Sequence, residues 1–129
     1  MKTTQLMLAV MTSFALDTHA GTRERLEACR QKIDSLDQRI VALIQQRAQV
    51  VEEVGRIKRE AQLPVTVASR EQQVIENTQG LAQGGPLPAE AIGRIYQTLV
   101  EEMRNWEAKL EAAAPPQASG QGATTRGSP

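Results

Sequence analysis

An arginine occupies a slot that the surrounding pattern reserves for an apolar side chain. Leu26, Cys29, Ile33, Leu36, Ile40, Leu43, Val50, Val54 and Ile57 recur at alternating steps of three and four, and Arg47 fills the place between Leu43 and Val50. Burying an unpaired guanidinium costs several kcal/mol, so Arg47 asks for an anion. A parallel stripe runs Arg30, Ile33, Asp37, Ile40, Ile44, Arg47, Val51, Val54 and Lys58, placing three cations on one mostly apolar face. On a helix, Arg47 and Lys58 stand about three turns apart with Cα atoms ~16 Å from each other, close enough for both side chains to grip one small ligand. Arg30 lies roughly 25 Å from Arg47 along the same straight rod and cannot reach that ligand. Only Arg30 of a second, antiparallel copy could, and a two-fold dimer would build the cationic pocket twice. Arginine forks match carboxylates, so the expected ligand is a small dicarboxylate. The competing reading is that the stems of these residues cover apolar surface while their heads reach water. That reading serves Arg30 and Lys58 taken alone, but Arg47 resists it.

The elements that must position these groups follow from periodicity. A helical pattern holds from about residue 23 to 61, with Gly55 as its one weak point, until Leu63-Pro64 stops it. Such a helix is a rod of roughly 55–60 Å. A globule of this size has a radius of gyration of only ~13 Å, so the rod needs a partner to cover it. Ser69 is the expected N-cap of a short second helix, with Arg70 and Glu71 in its first turn, Val74 and Ile75 facing inward, and Gly80, Gly84 and Gly85 closing it. Pro86-Leu87-Pro88 leads into a third helix carrying Ile92, Ile95, Tyr96, Leu99, Val100, Met103, Trp106 and Leu110 at helical spacing. Trp106 and Tyr96 read as core residues, and Arg70, Glu71 and Glu107 by themselves as ordinary surface charges. The fold class is therefore all-α, with one very long, one short and one medium helix, in one domain.

Composition narrows the function. Lys plus Arg and Asp plus Glu both number 15 in 129 residues, and there is one each of Phe, Tyr and Trp. This argues against nucleic-acid binding, which draws on net positive charge and aromatic stacking. The lone Cys29 has no disulfide partner in the chain and no ligand cluster around it, and reads as a small core residue. No phosphate loop, catalytic triad or metal-ligand spacing appears in the sequence. The first twenty residues differ from the rest. Lys2, the apolar run Leu6 to Leu16 and a small-residue stretch ending at Ala20 read as a signal peptide cut before Gly21, which would export the protein and remove His19. The alternatives are a disordered leader, or a start at Met11 in a cytoplasmic protein. The run is too short to span a membrane. Residues 112–129, rich in Ala, Pro, Gly, Ser and Gln, are expected to form a disordered tail, leaving 21–111 as the functional domain.

Read as an ordered set, Cys29-Arg30-Gln31-Lys32-Ile33-Asp34-Ser35-Leu36-Asp37, Arg47, Val54-Gly55-Arg56-Ile57-Lys58, Pro64-Val65, Arg70-Glu71, Glu101-Glu102-Met103 and Trp106-Glu107 resemble the all-helical (type II) chorismate mutases across about residues 23–111. The resemblance implies an intertwined three-helix homodimer with two active sites that converts chorismate to prephenate, a step toward phenylalanine and tyrosine, without a cofactor. It implies that the partner's Arg30 and this chain's Arg47 hold the two substrate carboxylates, with Arg70 supporting that end. Lys58 would hydrogen-bond the ether oxygen and the enolpyruvyl carboxylate, and Glu71 would accept from the ring hydroxyl.

Three positions depart from that pattern. Val67 stands where relatives carry Asp, leaving only a backbone N–H near the ring hydroxyl. Met103 replaces a common Ser and removes a hydroxyl donor. Glu107 takes a position that is Gln or Glu, opposite Lys58 at the ether oxygen, where a glutamate donates only when protonated. Relatives on this scaffold also split isochorismate into salicylate and pyruvate, or rearrange an amino analogue of chorismate; Glu71, an acceptor, leans toward chorismate. A non-enzymatic helical dimerisation module is the remaining rival, and Arg47 within the seam argues against it.

Overall fold

The computed structural model describes the backbone of residues 2–116 and the side chains of residues 19–116. Three helices follow one another: α1 (Lys2–Glu60), α2 (Ala68–Leu81) and α3 (Ala89–Ala113), with no strand among the described residues. The all-α expectation and the order long, short, medium are both met. Helix α1 begins earlier than the apolar period required, running back through the leader to Lys2. The tail expected over 112–129 falls largely outside the described residues, although α3 takes in Ala112 and Ala113.

The chain divides into two units, one through Arg47 and one from Ala48. Among its described residues the first unit is a stretch of α1 alone. Along this stretch of α1, Leu26, Ile33, Leu36, Ile40 and Leu43 are all more than half exposed. Cys29, expected in a core, is exposed as well.

The second unit holds the last turns of α1 together with α2 and α3. Helices α2 and α3 lie directly against each other. One face of α3 is buried, carrying Gly93, Val100, Met103 and Glu107 at steps of seven, three and four, the signature of a single helical stripe. Gly93 is small because the Gln79 side chain of α2 occupies the space a β-carbon would need.

The end of α1 is a Schellman turn. The Leu63 N–H donates to the Lys58 carbonyl at 2.8 Å and the Gln62 N–H to the Arg59 carbonyl at 3.1 Å, while Gln62 takes φ 56° in the left-handed region. Pro64 follows, unable to continue the helix. The expected Ser69 cap of α2 does not form. The N-cap is Val67, extended at φ −123° and ψ 94°, and no side chain caps the helix. Its carbonyl accepts from the N–H groups of Arg70 and Glu71, so the helix has already begun when Ser69 is reached. Pro88 plays the same backbone role for α3, accepting from Ala91 and Ile92.

Candidate active site

Lys58 is the centre of the second unit's polar chemistry. Its stem leaves the last turn of α1, and its ammonium donates to the Val65 carbonyl at 2.7 Å and to Glu107 Oε1 at 2.9 Å. An ammonium has three N–H donors, so one remains for a ligand. The Glu107 side chain is only 9% exposed and that of Lys58 20%, so this pair sits where water screens it weakly. No buried side-chain nitrogen or oxygen among the described residues lacks a partner.

Two local features build this arrangement. The Schellman turn folds the chain back so that the Val65 carbonyl meets the ammonium seven residues earlier. Gly55, one turn before Lys58, lets Glu107 approach: a β-carbon there would lie 3.2 Å from Glu107 Cγ and 3.6 Å from its Oε1. The residue flagged as a weak point in the helix is the one that admits the carboxylate.

Glu71, in the first turn of α2, pairs with Arg104 of α3. Arg104 Nη1 donates to Glu71 Oε2 at 2.9 Å. Arg104 escaped the sequence reading because its partner lies 33 residues away and no local spacing links them. The neighbouring Arg70 is exposed and donates to Gln73 Oε1 at 2.7 Å. Val67 is 41% exposed at the start of α2, and Met103 is buried on the α3 stripe one turn before Glu107. Trp106, expected in the core, is 40% exposed and donates its indole N–H to Glu52 Oε1 at 3.1 Å.

The other two cations belong to the first unit. The Arg30 side chain is 70% exposed, with its guanidinium 3.9 Å from Glu27, a loose contact one turn away on the same helix. Arg47 is half-buried and makes no ion pair among the described residues. Two open grooves of the second unit lie away from Lys58 and Glu107; one is bordered by Glu52, Arg56 and Leu110, the other by Gln62, Leu63 and Glu111. Among the described residues no group of three His, Cys, Asp or Glu could hold a metal ion, and no helix is long and apolar enough to cross a membrane.

The second unit thus holds a lysine–glutamate pair between the end of α1 and the facing α3, within an all-helical fold. The chorismate mutase type II family matches residues 29–108, and the chain belongs to that family. It is 33% identical over 93 residues to a bifunctional chorismate mutase/prephenate dehydratase of Aquifex aeolicus, aligning 70% of this chain with 26% of that one. The corresponding Escherichia coli K12 protein is 34% identical over 77 residues, 20% of its length. The chain thus spans about a quarter or less of these bifunctional relatives. A chorismate mutase of Methanocaldococcus jannaschii is 28% identical over 78 residues, 79% of that protein. A solved structure of chorismate mutase (form II) from Thermus thermophilus superimposes with a TM-score of 0.63 at 26% identity, covering 66% of this chain and 96% of that one.

Proposed function

We propose that this protein is a chorismate mutase, rearranging chorismate to prephenate on the route to phenylalanine and tyrosine. The observation that carries the reading is the Lys58 ammonium, fixed by the Val65 carbonyl and Glu107 in a largely buried position with one N–H to spare. The reaction is an intramolecular pericyclic shift in which one C–O bond breaks as one C–C bond forms. It needs neither nucleophile nor general base; the protein must hold a compact conformer and stabilise negative charge growing on the ether oxygen. Lys58 supplies that charge stabilisation. Glu107 holds the Lys58 ammonium in place and borders the same oxygen. Arg47 and the partner's Arg30 hold the two carboxylates, Arg70 supports that end, and Glu71 accepts from the ring hydroxyl beside the Val67 N–H. Met103 contributes an apolar wall.

The active form is a homodimer. Its support is the bare stripe from Leu26 to Leu43, together with Val50, Val54 and Ile57, each at least 40% exposed in the single chain. Fully burying one such side chain contributes ~1.5–3 kcal/mol, so a second copy of the helix is a strong thermodynamic match. The leader supports export, which would place the enzyme outside the cytoplasm.

The test is incubation of the purified chain with chorismate, isochorismate and the amine analogue of chorismate, with products identified by mass. Prephenate from chorismate is the expected outcome. Salicylate plus pyruvate from isochorismate would reassign the reaction, and a folded protein that turns over none of the three would reduce the pocket to a binding site.

A further inference from the structure

Arg104 has no part in the mechanism above, yet through Glu71 it governs the charge of one substrate contact. Glu71 is the acceptor proposed for the ring hydroxyl. A bare carboxylate at that place would serve a neutral hydroxyl adequately and a positively charged amine better, since charge attracts charge in addition to the hydrogen bond. The structure does not leave this carboxylate bare. Arg104 Nη1 donates to Oε2 at 2.9 Å, which leaves Oε1 to accept and brings a full positive charge against the same group. The bridge spans α2 and α3, so the carboxylate is also held in one orientation by a residue outside its own helix.

We infer that Arg104 is a specificity-determining positioning residue: by neutralising and aiming Glu71, it makes the site select a substrate with a neutral hydroxyl on its ring over one with an ammonium there. The inference rests on the mutase reading. Selection of this kind works by penalising the wrong ligand rather than by improving contacts to the right one. A hydroxyl meets a carboxylate whose charge is balanced, and loses nothing. An ammonium meets the carboxylate and the guanidinium together, and the repulsion offsets most of the attraction. The pair is partly open, with side chains 37% and 24% exposed, so water screens the effect. The discrimination contributed by Arg104 is therefore on the order of tenfold, not thousandfold.

The experiment compares kcat/KM for chorismate and for its analogue carrying an amine in place of the ring hydroxyl, in the full chain and in Arg104→Gln, Arg104→Lys, Glu71→Gln and the Glu71→Gln/Arg104→Gln double variant. The expected result is an amine-to-hydroxyl ratio that rises about tenfold in Arg104→Gln and stays near the starting value in Arg104→Lys, which keeps the charge. In the Glu71→Gln background, loss of Arg104 should leave the ratio unmoved. If Arg104→Gln lowers both substrates equally, Arg104 is a structural brace and the inference fails while the mutase reading stands. If the unaltered chain rearranges neither substrate, the mutase reading fails and takes this inference with it.

Discussion

Gly55 and Glu107 face each other across the gap between α1 and α3 with too little room for a methyl group: a β-carbon at 55 would sit 3.2 Å from Glu107 Cγ. That distance is short enough to displace the carboxylate by a few tenths of an ångström, and Glu107 Oε1 is the atom bonded to Lys58.

Gly55→Ala should therefore separate stability from activity. Alanine is favoured over glycine in a helix by ~1 kcal/mol, so the melting temperature is expected to hold or rise. Misplacement by about 1 Å can cost 10²-fold in rate, and a smaller shift should lower kcat roughly three- to tenfold. Thermal denaturation and steady-state kinetics on the same preparation check both halves. A variant with unchanged kcat would show that Glu107 has room to move.

Glu107 accepts from Lys58 at 2.9 Å, and its side chain is only 9% exposed. Glu107→Gln keeps the volume and offers an N–H to the ether oxygen, so kcat for chorismate should hold or rise. Glu107→Ala leaves no donor there and should lower kcat by about 100-fold. Steady-state kinetics of both variants decide the matter, and equal rates would remove Glu107 from the reaction.

Arg47 is half-buried in the α1 seam with no ion-pair partner among the described residues. Arg47→Ala is expected to lower kcat/KM by at least ~100-fold, the loss typical of a charged donor aimed at a transition state. Sedimentation should show the same oligomer as before, because the substitution removes a cation from an apolar surface. A mild kinetic effect would mean that the guanidinium simply reaches to water.

Gln62 holds φ 56° at the end of α1, a conformation that costs a side-chain-bearing residue roughly 1–2 kcal/mol and glycine almost nothing. Gln62→Gly should stabilise the protein by about 0.5–1 kcal/mol after the greater freedom of glycine in the unfolded chain is deducted. Chemical denaturation would show a higher midpoint at an unchanged slope.

The periodicity of α1 and α3 made three helices legible, because a 3.6-residue repeat is a property of neighbours in the chain. Lys58 and Glu107 were legible only as members of a spaced set, since nothing local to either announces that they meet. Arg104 was not legible at all: its meaning lies in Glu71, on another helix. Ser69 misled for the opposite reason. A capping side chain was present, but the extended Val67 backbone started the helix sooner. Trp106 shares the helical spacing of the α3 core positions and so reads as core; its exposure, with a bond to Glu52, reflects how small the interior is, Val100 and Met103 being the buried apolar side chains among the described residues.

Lys58 contributes to the turn after α1 from both ends, since its carbonyl accepts the Leu63 N–H and its ammonium holds the Val65 carbonyl. The aim of the ammonium and the closure of that turn are consequently one cooperative unit: an opening that releases Leu63 also swings the charge away. One short backbone segment thus sets where the Lys58 charge points, and a change in that turn reaches the ammonium without passing through the helices around it.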